Sequence, residues 1–246
     1  MGCVAMNYIY DGSFEGLLCT LFDAYKIIDT VNIVKKSNQV NFFEDEAVVI
    51  SDTCVSNRVK KSIIQKFSYR FFIEIYICYL SDTVNKENII ARTVKGVYKN
   101  GINFLNSANE NVVEFNKIIK SVYREIHRYQ GLLRFREVQE EFLFAEFEPK
   151  NDILEILSVH FKKRMPNEKF MIHDVLRKKC VISDKGNLNT FYVTDLKISD
   201  TEREKFFREA WKLFYKSVCI EERKNKKLMQ SNMPKKYWKY LCEKAN

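Results

Sequence analysis

From Asn111 to Gln130, apolar side chains recur every three or four residues as Val112, Phe115, Ile119, Val122, Ile126 and Tyr129, the spacing of one face of an α-helix. At roughly 100° per residue, Lys117, Lys120, Arg124 and Arg128 fall on the opposite face. A helix of this kind must bury one side and leave the other in water, so it commits the chain to a packed core with a cationic exterior. The remainder can supply that core, since 46% of the 246 residues are apolar, enough for one large domain or two small ones. Only 7 Gly and 3 Pro are present, and no stretch has the composition of a flexible linker. Any domain boundary is therefore expected to be a packed junction.

Charge divides the chain more sharply than composition does. Residues 1–110 carry 12 Lys and Arg against 12 Asp and Glu, whereas 111–246 carry 29 against 20, so the whole net charge of +9 belongs to the second part. This predicts a mainly helical N-terminal part, 1–110, and a basic α+β C-terminal domain, 111–246. Basic charge supplies the sequence-independent part of nucleic-acid affinity through phosphate neutralisation and counterion release. RNA, DNA or an acidic protein would each satisfy it.

In the first part, a strand over Val4–Tyr10 leads through Asp11-Gly12-Ser13 into a helix capped by Ser13. A second cap near Ser51-Asp52-Thr53 opens another helix, the segments 69–82 and 86–99 read as helices, and a short strand fits 47–50. In the second part, Phe142, Phe144 and Phe147 suggest strand structure, and a helix is expected from Pro149 to about Lys163. Runs at 170–173, 178–182 and 188–193, with a turn at Asp184-Lys185-Gly186-Asn187, predict a small antiparallel sheet packed against helices. A long helix from Asp200 to about Val218 is expected to bury Phe207, Trp211, Phe214 and Val218. A last helix begins at Pro234 and carries Tyr237, Trp238, Tyr240 and Leu241. The fold class is thus α+β, mainly helical.

The longest apolar run, around Phe71–Leu80, is interrupted by Glu74 and is too short for a membrane span. The first ten residues lack the basic-then-apolar pattern of a signal peptide. Seven cysteines, Cys3, Cys19, Cys54, Cys78, Cys180, Cys219 and Cys242, show neither Cys-x-x-Cys pairs nor zinc spacing. Reduced thiols in a cytoplasmic protein, with no metal, no cofactor and no membrane partner, are the expectation.

Two basic clusters stand out. Between 119 and 136 lie Lys120, Arg124, Arg128, Arg134 and Arg136 with a single acid, Glu125, and the next twelve residues hold five glutamates and no Lys or Arg. Guanidinium groups suit phosphate because they donate two parallel hydrogen bonds; for Arg134 and Arg136, internal pairing with the acidic block is an equal alternative. Near the C-terminus, Arg223, Lys224, Lys226 and Lys227 precede Lys235, Lys236, Tyr237, Trp238 and Lys239. Lysines interleaved with rings can hold phosphates while a ring stacks on a base, although Trp238 in a terminal helix more often anchors a core. Of three histidines, His127 sits between Arg124 and Arg128, His160 in a helix, and His173 beside Asp174. His127, His173 and Asp174 are the only weak catalytic candidates, and strand neighbours such as His173 and Asp174 point to opposite faces. Phosphate loops, dinucleotide fingerprints and nucleophile elbows are absent.

Several motifs together resemble one family. They are Tyr10-Asp11-Gly12-Ser13-Phe14-Glu15-Gly16-Leu17-Leu18, Glu125-Ile126-His127-Arg128, Leu133-Arg134-Phe135-Arg136, Glu148-Pro149-Lys150-Asn151-Asp152-Ile153-Leu154, His160-Phe161, Arg164, Ile172-His173-Asp174, Arg177 and Met233-Pro234-Lys235-Lys236-Tyr237-Trp238-Lys239. The chain is similar to DNA-metabolism proteins whose C-terminal domain also occurs fused to uracil-DNA glycosylases, and which are often encoded beside a radical-SAM protein of DNA modification or repair. The likeness runs through the whole chain, with Phe170 where the family would carry Trp. It implies a DNA-binding accessory protein whose partners are DNA and a radical-SAM enzyme. The glycosylase portion is missing, so uracil excision is not implied. The alternatives are a cryptic DNA-processing enzyme using His127 or His173, and a protein-binding adaptor.

Overall fold

The computed structural model describes residues 6–36, 46–194, 196, 198–220 and 224–244. The chain divides into two compact units, Met1–Tyr123 and Arg124–Asn246, so the division falls inside the long amphipathic helix, whereas the charge balance changes at 110/111. Val4, Cys3 and Arg223 lie outside the described residues.

The first unit holds β1 (Asn7–Tyr10), α1 (Phe14–Asp23), β2 (Asn32–Lys35), β3 (Glu46–Val48), α2 (Thr53–Lys66), α3 (Tyr69–Tyr79), α4 (Lys86–Asn100) and the start of α5 (Glu110–Leu132). Its sheet is parallel, in the order β2-β1-β3. Three helices begin where side chains take up the free N–H groups of the first turn: Ser13 accepts from Gly16, Asp52 from Cys54 and Val55, and Ser68 from Phe71. At Gly16 the close approach is obligatory, because a Cβ there would lie 2.3 Å from Asp11 Oδ1. Leu17, Leu21, Ile63, Phe71, Ile75, Ile90, Val94 and Phe115 are buried, so α1 to α5 each contribute their apolar stripe to the core.

The second unit holds the rest of α5, then β4 (Arg136–Gln139), β5 (Phe142–Phe147), α6 (Leu154–Arg164), β6 (Lys169–Asp174), β7 (Lys179–Asp184), β8 (Asn187–Tyr192), α7 (Glu202–Ser217), α8 (Lys226–Asn232) and a 3-10 turn (Lys235–Tyr240). Five strands run β4-β5-β6-β7-β8. Neighbours are antiparallel except β5 and β6, which pair in parallel with Phe144 opposite Met171. Parallel neighbours need a crossover, and α6 supplies it. One sheet face gathers Phe144, Met171 and Cys180 with Phe142, Ile182 and Phe191, covered by Val193, Leu196 and Ile198. On the other side Phe147 meets Tyr129 of α5 edge-on at 4.9 Å, and Phe135 meets both Phe161 and Phe170.

Three expectations need correction. The small antiparallel sheet is a five-stranded mixed sheet, because the 132–149 region adds two strands and the second pairs in parallel across α6; the first unit adds a parallel sheet of its own. Pro149 does not open a helix, since α6 starts at Leu154 and long-range hydrogen bonds from Glu125 and Arg177 hold the intervening loop. Helix α7 does not bury its aromatic stripe: Phe207 and Phe214 are each 54% exposed and Trp211 43%. The 3.6-residue period identifies which side chains share a face, but another element must arrive to cover them. What α7 does provide is an edge cover for β4, with Thr201 N–H donating to Glu137 O and Glu204 Oε2 accepting from Glu137 N–H.

Candidate nucleic-acid interface

The site in the second unit is built around one buried acid. Glu125 is the lone carboxylate in the basic run of α5, and its side chain is only 6% exposed. Its oxygens accept from the backbone N–H groups of Lys150 (3.2 Å) and Asn151 (3.0 Å), from Asn151 Nδ2 (2.7 Å) and from Lys236 Nζ (2.8 Å). Burial alone would raise the Glu125 carboxyl, but the Lys236 hydrogen bond and the two backbone donors outweigh it and hold the group below its ordinary value. Lys236 shifts the opposite way: partial burial would lower it, yet the Glu125 carboxylate raises it. The pair is therefore ionised on both sides at neutral pH.

This carboxylate pins the 148–153 loop to α5, and other residues clamp it from the far side. The Arg177 guanidinium donates to Pro149 O (3.0 Å) and Lys150 O (2.6 Å), and also to the fully buried Asp174 (3.0 Å). Asp174 Oδ1 accepts from the N–H groups of Leu176 and Arg177, closing the turn after β6. Burial raises the Asp174 carboxyl, with Arg177 opposing. Tyr129 donates to Glu148 O, while Glu148 Oε1 accepts from Tyr240 and Lys239. Burial and the Glu148 carboxylate push the Tyr240 hydroxyl up to about 12.

Around this clamp the predicted cations separate into two groups. Arg124 is exposed and Arg128 half-buried on α5, flanking Glu125; Lys120 is exposed one turn earlier, and Lys235 is exposed beside Lys236. None of Lys120, Arg124, Arg128 and Lys235 forms an ion pair among the described residues. Arg134 and Arg136 are engaged internally. Arg134 bonds Gly131 O and Glu243, whereas Arg136 bridges Glu146 and Asp200 and lies 5.1 Å over the Phe144 ring. Lys227 is exposed on α8. Tyr237 is only 3% exposed and packs edge-on against Tyr129 at 4.9 Å, which puts its ring in the core. Trp238 is half-buried and donates from Nε1 to Met233 O, with Lys244 Nζ 5.7 Å over its ring.

The histidines do not assemble with acids. His127 is exposed on α5. His173 and Asp174 project to opposite faces of the sheet, and Asp174 is spent on the Arg177 turn. Burial lowers the His173 imidazole below its ordinary value, opposed by Glu146 and Asp174, and both ring nitrogens lack a hydrogen-bond partner among the described residues. Sequence reasoning missed the roles of Glu125, Asn151 and Arg177. A single acid inside a run of cations was the available signal, because an acid on the apolar side of an amphipathic helix needs buried donors.

The fold and site define an α+β protein of two compact units, the second of which carries on α5 two arginines without an ion-pair partner among the described residues, on either side of a buried carboxylate. Residues 84–243 match the profile of a domain of unknown function, DUF4130. The chain belongs to that family. No curated protein matches it. Among the described residues, no helix is long and apolar enough to cross a membrane.

Proposed function

We propose that the second unit binds DNA through the exposed face of α5, and that the protein is an accessory factor in DNA repair or modification which presents DNA to a partner enzyme of the radical-SAM class. One observation carries the DNA reading. Arg124 and Arg128 stand one turn apart without an acidic partner among the described residues, while the acid between them is already neutralised by Lys236 and backbone N–H groups. Their charge is free to meet phosphate. Lys235 adds a cation beside Lys236. The motifs shared with DNA-metabolism proteins supply the partner class.

Fluorescence anisotropy with a duplex oligonucleotide, between 50 and 200 mM salt, tests the reading. Affinity should fall steeply with salt, and replacing Arg124, Arg128 and Lys235 by Gln should reduce the log–log slope by roughly 0.7 to 0.9 for every phosphate that is no longer neutralised. An unchanged affinity and slope in the folded triple variant would remove this surface from consideration.

A further inference from the structure

Helix α7 presents an apolar face that no described element covers. Its inward face is anchored, because Thr201 caps the helix, Glu204 accepts from the β4 backbone and Arg208 pairs with Asp200, with Lys212 and Tyr215 partly buried on the same side. Turned away from these are Phe206, Phe207, Ala210, Leu213 and Phe214, spaced as one helical stripe with Trp211 along its rim. Phe206 is 68% exposed and Leu213 71%. The rings pack on one another: Phe206 and Phe207 meet edge-on at 5.7 Å, Trp211 lies 5.8 Å from Phe214 and donates to Glu243, and the Arg203 guanidinium sits over Phe207. Scaled by their exposed fractions, the five large side chains leave roughly 600 Å² in water. That is the upper end of the largest apolar patch on a typical monomer, about 300 to 600 Å².

The stripe reads alike in both directions. Phenylalanines stand four and three residues before Ala210, and Leu213 and Phe214 stand three and four after it. Such a surface is complementary to itself turned end for end, the condition for an isologous contact. Two antiparallel copies bring the Ala210 methyl groups together at the two-fold axis, where a small side chain lets the backbones approach, and set Phe206 and Phe207 against Phe214 and Leu213 of the second copy. Charge selects the same direction. Lys212 and Lys216 are the only charged residues from Ala210 to Ser217, whereas Glu202, Glu204 and Glu209 all precede Ala210. Antiparallel packing lays the basic end of one helix beside the acid-bearing end of the other and opposes their dipoles, while parallel packing would set each lysine near its own copy. Covering both stripes removes about 1,200 Å² before the charged flanks are counted, which reaches the range of specific interfaces. We propose that α7 is the interface of a two-fold dimer of this chain, the helices packing antiparallel across Ala210.

Sedimentation equilibrium of the full chain tests this. The chain should pass from monomer to dimer as concentration rises and go no further, because a two-fold contact closes on itself. Phe206→Glu with Leu213→Glu, and separately Ala210→Arg, should each raise the dimer dissociation constant about a hundredfold. An unchanged thermal midpoint in dilute solution, where the natural chain is monomeric and the stripe lies in water, shows that both variants are folded. Direction is read by cross-linking. Arg203 and Ser217 stand seven residues either side of Ala210, so mild oxidation of mixed Arg203→Cys and Ser217→Cys chains should give mixed dimers faster than either chain links to itself or the natural chain links through its own thiols. A monomer at every concentration, open-ended association, undiminished dimerisation of both folded variants, or self-linking faster than mixed linking would each overturn the proposal.

Discussion

Replacing Glu125 by Ala removes an acceptor from four donors at once, and the structure sets the size of the loss. The N–H groups of Lys150 and Asn151 and the Asn151 amide are left facing a methyl group, while Lys236, half exposed, can turn to water. Removing the buried partner of an ion pair typically costs about 3 to 5 kcal/mol, and unsatisfied buried donors alone cost about 1 to 3 kcal/mol each. Glu125→Ala should therefore lose about 3 to 5 kcal/mol in urea unfolding with an unchanged m-value. Glu125→Gln, which keeps one acceptor, should lose about half of that. Lys236→Gln should lose only about 1 kcal/mol, because three donors remain on the carboxylate. Acid dependence adds an independent check. A folded-state carboxyl held below its unfolded value contributes stability that is fully present above that unfolded value, near 4.5, and is lost as pH falls through the folded one. Glu125→Gln should flatten the stability profile below about pH 4.5 and leave its shape above that unchanged. If Lys236→Gln costs more than Glu125→Ala, or the alanine variant stays within about 1 kcal/mol of the natural chain, the carboxylate is not the centre of the clamp.

Two further outcomes follow from burial. Phe214→Ala on the exposed face of α7 should cost under about 1 kcal/mol, while Phe147→Ala, fully buried in β5, should cost about 3 to 5 kcal/mol; equal losses in denaturant titrations would mean that the α7 stripe is covered after all. His173 should titrate below the ordinary histidine value of 6.5 when followed by NMR, and its share of stability should be present above that value and fade as pH falls through the depressed one. A midpoint at or above 6.5 would contradict the burial of its ring.

Much of the fold was legible wherever local pattern and tertiary environment agree. The stripe from Val112 to Tyr129 is buried as its spacing requires, and β6, β7 and β8 fall where alternation and the Asp184–Asn187 turn place them. Ser13 caps α1 as its position suggests. What escaped depends on distant residues. The parallel pairing of β5 with β6 follows from how α6 lies on the sheet, and no single strand encodes it. Pro149 suits a first helical turn by its φ angle, yet Glu125 and Arg177, each more than twenty residues away, hold the loop open. For the site, the basic run was readable from the sequence, and so was internal pairing as an equal alternative for Arg134 and Arg136. Which alternative held depended on distant acids, Glu243 for Arg134 and Asp200, beside Glu146, for Arg136.

The span of the clamp also orders assembly of the chain. Strands β5 to β8 and helix α6 lie within about fifty consecutive residues and can associate early, because short loops close at little entropic cost. The bond from Lys236 to Glu125 joins residues 111 apart and closes last by the same reasoning. Until the C-terminal turn docks, Glu125 keeps its charge without its lysine, and that negative charge stands uncompensated by Lys236 between Arg124 and Arg128. A nascent or C-terminally clipped chain thus shows a weaker cationic face than the finished molecule, and on the DNA reading proposed above its phosphate affinity is a late product of folding.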